Sequence, residues 1–212
     1  MSKSRIETVA CPVCGHTQDV TVWETLNGDL DPDAKRQLME GTLFRVECKN
    51  CGNRSYLNYA ILYHDMTHRA MVYYVDESSV EQTKETMIAS EKAMGIEMPG
   101  YRKRIVTDQN TLREKAIIFE HGLDDRVLEL IKLVLQESTG KQFPNANIAA
   151  VYFLVENGKF ILEFIGDEPL RADIPASAYD GIKNKFADRL TAAGDEECII
   201  DRRWAAGFLQ GK

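Results

Sequence analysis

Cys11-Pro12-Val13-Cys14-Gly15 and Cys48-Lys49-Asn50-Cys51-Gly52 write one pattern twice: two cysteines at a spacing of two, closed by a glycine. Two matched pairs supply the four thiolates of a tetrahedral zinc centre, and the glycine suits the tight turn of a knuckle. A single pair would also fit a redox-active dithiol, but that chemistry uses one pair in a βαβ setting. We therefore read Cys11, Cys14, Cys48 and Cys51 as ligands of one Zn²⁺ ion. Iron in a four-thiolate arrangement is the alternative that ligand type leaves open. Four thiolates fill the coordination shell, so the metal is expected to be structural rather than a water-activating centre, with His16 exposed in the turn beside it.

The flanks of the knuckles support this. Residues 6–10 and 19–25 around the first, and 43–47 and 55–59 around the second, are short runs rich in Val, Thr and Tyr that predict strands. That is the layout of a zinc ribbon. The 33 residues between Cys14 and Cys48 exceed the common spacing, and an insertion accounts for them. Asp31-Pro32-Asp33 offers an N-cap, a first-turn proline and an early acid, and Gly41 a stop, so residues 32–40 are expected to be helical. Residues 62–65 are read as a loop or strand end and residues 70–75 as a further strand.

From residue 77 the pattern turns to Ser, Thr, Glu, Lys and Met with loose helical spacing, ending at Pro99-Gly100. The second half opens with a strand over 101–107, then a helix capped by Asp108 that ends near Gly122. Leu123, Val127, Leu130, Ile131, Val134 and Leu135 give the next helix a strongly apolar face from Asp124-Asp125 to a stop at Gly140. Asn157-Gly158 between two strand patterns predicts a two-residue hairpin, and residues 178–190 an amphipathic helix. The expected fold is α+β: a zinc-ribbon-like module with a helical insertion over 1–76, a connecting helix over 77–100, and an α+β domain with an antiparallel hairpin sheet and packed helices over 101–212.

The chain has 212 residues, 44% of them hydrophobic, enough for a core without disulfide staples. Five cysteines, four of them paired at metal-ligand spacing, point to a reducing, cytoplasmic setting. Residues 1–10 carry no signal-peptide pattern, and no apolar run approaches the roughly 20 residues that span a bilayer. Net charge is −7, and none of the three segments is basic: −1 over 1–75, −4 over 76–100 and −2 over 101–212. Four thiolates on Zn²⁺ add −2 to the first segment, which weighs against binding a nucleic-acid backbone. The expected partner is another protein; no membrane partner is implied, and a nucleic-acid-binding ribbon stands as a second alternative.

Outside the cysteines, Tyr63, His64 and Asp65, with His68 nearby, form the most suggestive polar cluster. As an enzyme, the chain would use His64 and Asp65 as an acid/base pair in a pocket between its halves. The plainer reading is that they cap backbone groups around a turn, and no other catalytic residue is named. Trp23 is read as core, Arg102-Lys103-Arg104 as a solvated or salt-bridged edge, and Cys198 as a small buried hydrophobe. There is no phosphate-binding glycine loop, Gly-x-Ser-x-Gly elbow or His-Glu-x-x-His motif.

Cys11-Pro12-Val13-Cys14-Gly15, Trp23-Glu24-Thr25-Leu26-Asn27, Gly41, the Cys48/Cys51 pair with Gly52, and Leu62-Tyr63-His64-Asp65 together resemble the CpXC domain of bacterial and archaeal proteins. The resemblance extends over about residues 8–135. It departs at the second pair, where Lys49 stands in place of the proline; proline shapes a knuckle without being a ligand, so metal binding does not depend on it. The resemblance implies a zinc-binding domain of uncharacterised function.

Overall fold

Strands β1 (Lys3–Ala10) and β2 (Thr17–Asn27) form an antiparallel ribbon whose turn holds the first cysteine pair. The computed structural model describes residues 1–94, 100–142, 147–167 and 170–211. Only the far end of β2, Thr25–Asn27, is hydrogen-bonded to β5 (Ile61–Asp65), in parallel. The knuckle end of the ribbon therefore extends beyond the sheet. β6 (Ala70–Tyr74) pairs antiparallel with β5 and parallel with β7 (Arg102–Val106), completing a five-stranded mixed sheet in the order β1-β2-β5-β6-β7.

The insertion between the knuckles contains α1 (Pro32–Glu40), closed by Gly41 at φ 73° as expected. Asp31 occupies the N-cap position but makes no side-chain capping bond. A separate two-stranded ribbon, β3 (Arg45–Glu47) and β4 (Arg54–Tyr56), carries the second pair; both strands are shorter than the runs of Val, Thr and Tyr suggested. Alternation on β5 and β6 sends Ile61, Tyr63, Asp65, Ala70, Val72 and Tyr74 to one buried face, where Val22, Leu26, Leu38 and Leu112 complete a core.

Residues 77–94 hold a 3₁₀ turn and then α2 (Val80–Met94); the Pro99 end of the expected connecting helix lies outside the described residues. α3 (Gln109–Glu120) is capped by Asp108, whose Oδ1 accepts the Thr111 amide at 2.8 Å. The chain divides into two compact units within α3, Met1–Ala116 and Ile117–Lys212. A second domain starting at residue 101 thus differs from what is found. β7 is bonded to β6 in the first sheet, and its Arg104, expected at a solvated edge, is fully buried. Parallel pairing needs a crossover, which α2 supplies, and no local signal in a five-residue strand names its partner.

In the second unit, α4 (Asp125–Gln142) buries Val127, Leu128, Leu130 and Ile131, and lies against β8 (Ile148–Glu156), α5 (Ala176–Lys185) and α7 (Arg202–Gln210). It continues past Gly140. β8 and β9 (Lys159–Gly166) are joined by Asn157 and Gly158 at φ 51° and 75°, the two left-handed residues that the hairpin needs, and β10 (Leu170–Ile174) adds a third antiparallel strand. The helix expected over 178–190 is two, α5 and α6 (Ala187–Ala193), broken at Phe186. Cys198 and Trp23 are each only half-buried, not core. The architecture is mixed α+β.

Candidate metal centre

Each ribbon turn is built by the same two backbone hydrogen bonds. The Cys11 amide donates to the His16 carbonyl at 2.8 Å and the Gly15 amide to the Cys11 carbonyl at 2.9 Å. In the second turn, the Cys48 amide donates to Asn53 at 2.8 Å and the Gly52 amide to Cys48 at 2.9 Å. Gly15 and Gly52 sit at φ 72° and 71°, and a Cβ built on either meets nothing within 4 Å. Glycine is there for its backbone, not for space.

Two matched knuckles bring their four sulfurs to one point. Cys11 Sγ lies 3.7 Å from Cys51 Sγ, Cys14 Sγ lies 3.6 Å from Cys48 Sγ, and all four fall within 4.8 Å of one another. A tetrahedron with metal–sulfur bonds of about 2.3 Å has edges of about 3.8 Å, so the arrangement is compatible with a metal ion at its centre. Cys48 is buried, Cys11 half-buried, and Cys14 and Cys51 exposed.

The thiols ionise unequally. The Asn50 side-chain amide, 3.6 Å from the Cys14 sulfur, and the His16 amide bring Cys14 down to about 6. The amides of Cys14 and Val13 lower Cys11. At Cys51 the Asn53 amide pulls downward, but the Cys14 sulfur, loss of solvent and the other two sulfurs outweigh it and push the thiol up to about 12. Crowded sulfurs cannot all carry charge without a cation among them, and a divalent metal would take the place of the shared protons.

One residue that the cysteine pattern does not reveal holds the two ribbons together. Gln18, second residue of β2, donates its Nε2 to the Glu47 carbonyl at 3.0 Å and accepts the Lys49 amide on Oε1 at 2.8 Å. The second knuckle is thereby hydrogen-bonded to the first through a side chain. The only signal was a polar residue four positions after a ligand, too common to single out.

The family model described as CpXC protein matches residues 9–132. The chain belongs to the CpXC family. The CpXC match takes in both knuckles, the five-stranded sheet apart from most of β1, and α1 to α3, and ends inside α4. No curated protein and no solved structure matches this CpXC chain.

The structure separates the other polar candidates. His64 and Asp65 are neighbours on β5 and point to opposite faces, His64 half-exposed and Asp65 fully buried. They do not face each other. His64 Nε2 lies 3.1 Å from the Tyr101 hydroxyl, and burial lowers the His64 pKa. Asp65 instead accepts the His68 amide at 2.8 Å, has His68 Nδ1 2.9 Å and 3.0 Å from its two oxygens, and takes Tyr63 Oη and Lys35 Nζ at 3.3 and 3.4 Å. Burial alone would raise this carboxyl, but the His68 amide and ring and the Lys35 charge hold it below its ordinary value. Asp65 closes the turn after β5, and its imidazole partner is three residues on rather than adjacent.

Proposed function

We propose that this CpXC protein binds one Zn²⁺ ion at Cys11, Cys14, Cys48 and Cys51, that the metal is structural, and that the protein works by recognising another protein. The observation that carries the metal assignment is the convergence of four sulfurs, all within 4.8 Å of one another, from two turns built by the same backbone hydrogen bonds. Four thiolates leave no open position, so the ion stabilises the fold rather than activating water. Thiolate ligation also requires a reducing compartment, which supports a cytoplasmic setting. Among the described residues, no helix is long and apolar enough to cross a membrane.

Recognition is supported by the ribbons themselves, which expose Ile6, Val13 and Tyr56 at 65%, 70% and 64%. Apolar side chains displayed along the two ribbons are suited to burial against a partner, and the acidic balance of the chain disfavours a nucleic-acid backbone. Elemental analysis of protein purified under reducing conditions tests the metal: one zinc per chain is expected, and a sub-stoichiometric metal content would overturn it. A red protein with visible thiolate-to-iron absorption would replace zinc by iron. For the recognition step, site-specific photo-crosslinking from position 13 in cells should trap a discrete protein that Ile6→Asp loses. A saturable, salt-sensitive shift with oligonucleotides instead would overturn that reading.

A further inference from the structure

Beneath α2, on the face of the first sheet opposite the core, lies a cavity of about 620 Å³. Its floor comes from β5, β6 and β7, with Leu62, Met71 and Tyr73 on the side of the sheet that alternation turns away from the buried face and Lys103 paired beside Met71. Its roof is unusual for a helix over such a floor. α2 and the turn before it present Ser79, Thr83, Thr86 and Ser90, with Met87 the one large apolar side chain among them, while Ile88 is turned outward and is 55% exposed. A helix packed to fill this face would place Leu or Ile at those positions, as α4 does in the second unit.

Two of the four roof hydroxyls are turned back onto their own helix. Thr83 Oγ1 donates to the Ser79 carbonyl and Thr86 Oγ1 to the Gln82 carbonyl, each at 2.8 Å, so these donors are spent within the helix and their methyl groups belong to the wall. Of the charged lining, Glu24 is engaged by Lys3 at 2.5 Å and Arg5 at 3.1 Å, and Lys103 stands in the floor. Most of the wall is thioether, aliphatic, aromatic and methyl surface, with Glu24, Gln82 and Lys103 at its polar positions. The volume falls within the ~300–1,000 Å³ of small-molecule sites, and two methionines give the wall an adaptable surface.

We infer that this cavity is a binding site for a small, largely apolar organic molecule, held between α2 and the sheet independently of the metal. The test is a fluorescence titration of the metal-loaded full chain with N-phenyl-1-naphthylamine as probe, together with methyl NMR of the methionines. Saturable enhancement is expected, with shifts at the Met71 and Met87 methyls and none at exposed Met66. Thr83→Phe, which fills the roof, should weaken probe binding at least tenfold with zinc content unchanged. Ile88→Ser, on the outward face, should leave it as it was. Binding that survives Thr83→Phe, binding lost in Ile88→Ser, no saturable binding, or saturation without shifts at Met71 and Met87 would each overturn the proposal. The NMR readout holds even if Thr83→Phe fails to fold.

Discussion

The two ribbons carry the same knuckle on very different supports. The first has eight cross-strand residue pairs and a root bonded into a five-stranded sheet; the second has three and belongs to no larger sheet. An isolated two-stranded hairpin is marginal in water even at greater length. Identical turn geometry therefore needs different sources of stability. The long ribbon has the sheet, and the short one has the Gln18 bridge, the proposed metal and Phe44, which is buried against Tyr59 and Tyr74 with ring centroids 4.9 and 5.8 Å away. Metal binding and folding are then coupled mainly in the second ribbon.

Removing the metal gives the largest effect. With a chelator, or in Cys48→Ser, amides of residues 45–56 should lose hydrogen-exchange protection entirely, while those of Thr25–Asn27 and of β5 keep it. Uniform loss of protection through both ribbons would break the comparison. Acid should act in the same direction, because protons compete with metal for thiolates: affinity falls as pH falls, steeply once even Cys14, brought down to about 6 in the metal-free cluster, takes up its proton. A zinc-indicator titration across pH reads this directly.

Phe44→Ala comes next. Truncating a buried phenylalanine costs about 3–5 kcal/mol, and here the loss falls on the anchor that packs the start of β3 against Tyr59 and Tyr74. Denaturant titration of the metal-loaded protein should show a loss of that order, with the midpoint moving much less for Tyr56→Ala on the exposed face of the same ribbon.

What the sequence disclosed follows from how local each feature is. The knuckles, α1 with its Pro32 start and Gly41 stop, and the Asn157-Gly158 hairpin are written within a few residues, and the structure has them. β7 reads as the opening of a second domain because its partner, β6, is nearly thirty residues away and the acidic stretch between them reads as a connecting helix. Arg104 reads as surface from its charge, yet the register Val72 to Arg104 puts it on the buried face. The adjacent pair His64 and Asp65 looked like a couple in one dimension, and strand alternation separates them. Gln18 bonds to groups some thirty residues on, which no local pattern carries.

Gln18→Ala should have a smaller effect. Two hydrogen bonds at about 0.5–1.5 kcal/mol each are lost, with no buried cavity left behind. Since the bridge positions a ligand-bearing turn, the expected outcome is a tenfold or greater loss of metal affinity, by analogy with other groups that orient ligands from outside the coordination shell. Equal affinity in competition with a chromophoric chelator would show that the ion alone aligns the two ribbons.

The smallest effect discriminates best. Gly15→Ala and Gly52→Ala place the same side chain at the same left-handed φ with nothing nearby, so each turn carries the same strain, about 1 kcal/mol. If the long ribbon forms its knuckle without metal, the strain of Gly15→Ala is present in both metal-free and metal-bound protein. It should lower stability and leave the metal dissociation constant unchanged. If the short ribbon forms only around the ion, the strain of Gly52→Ala is met on binding and should weaken affinity about fivefold. Equal shifts in the two dissociation constants would mean that both knuckles are built by the metal, and that the longer strands of the first contribute nothing to its turn.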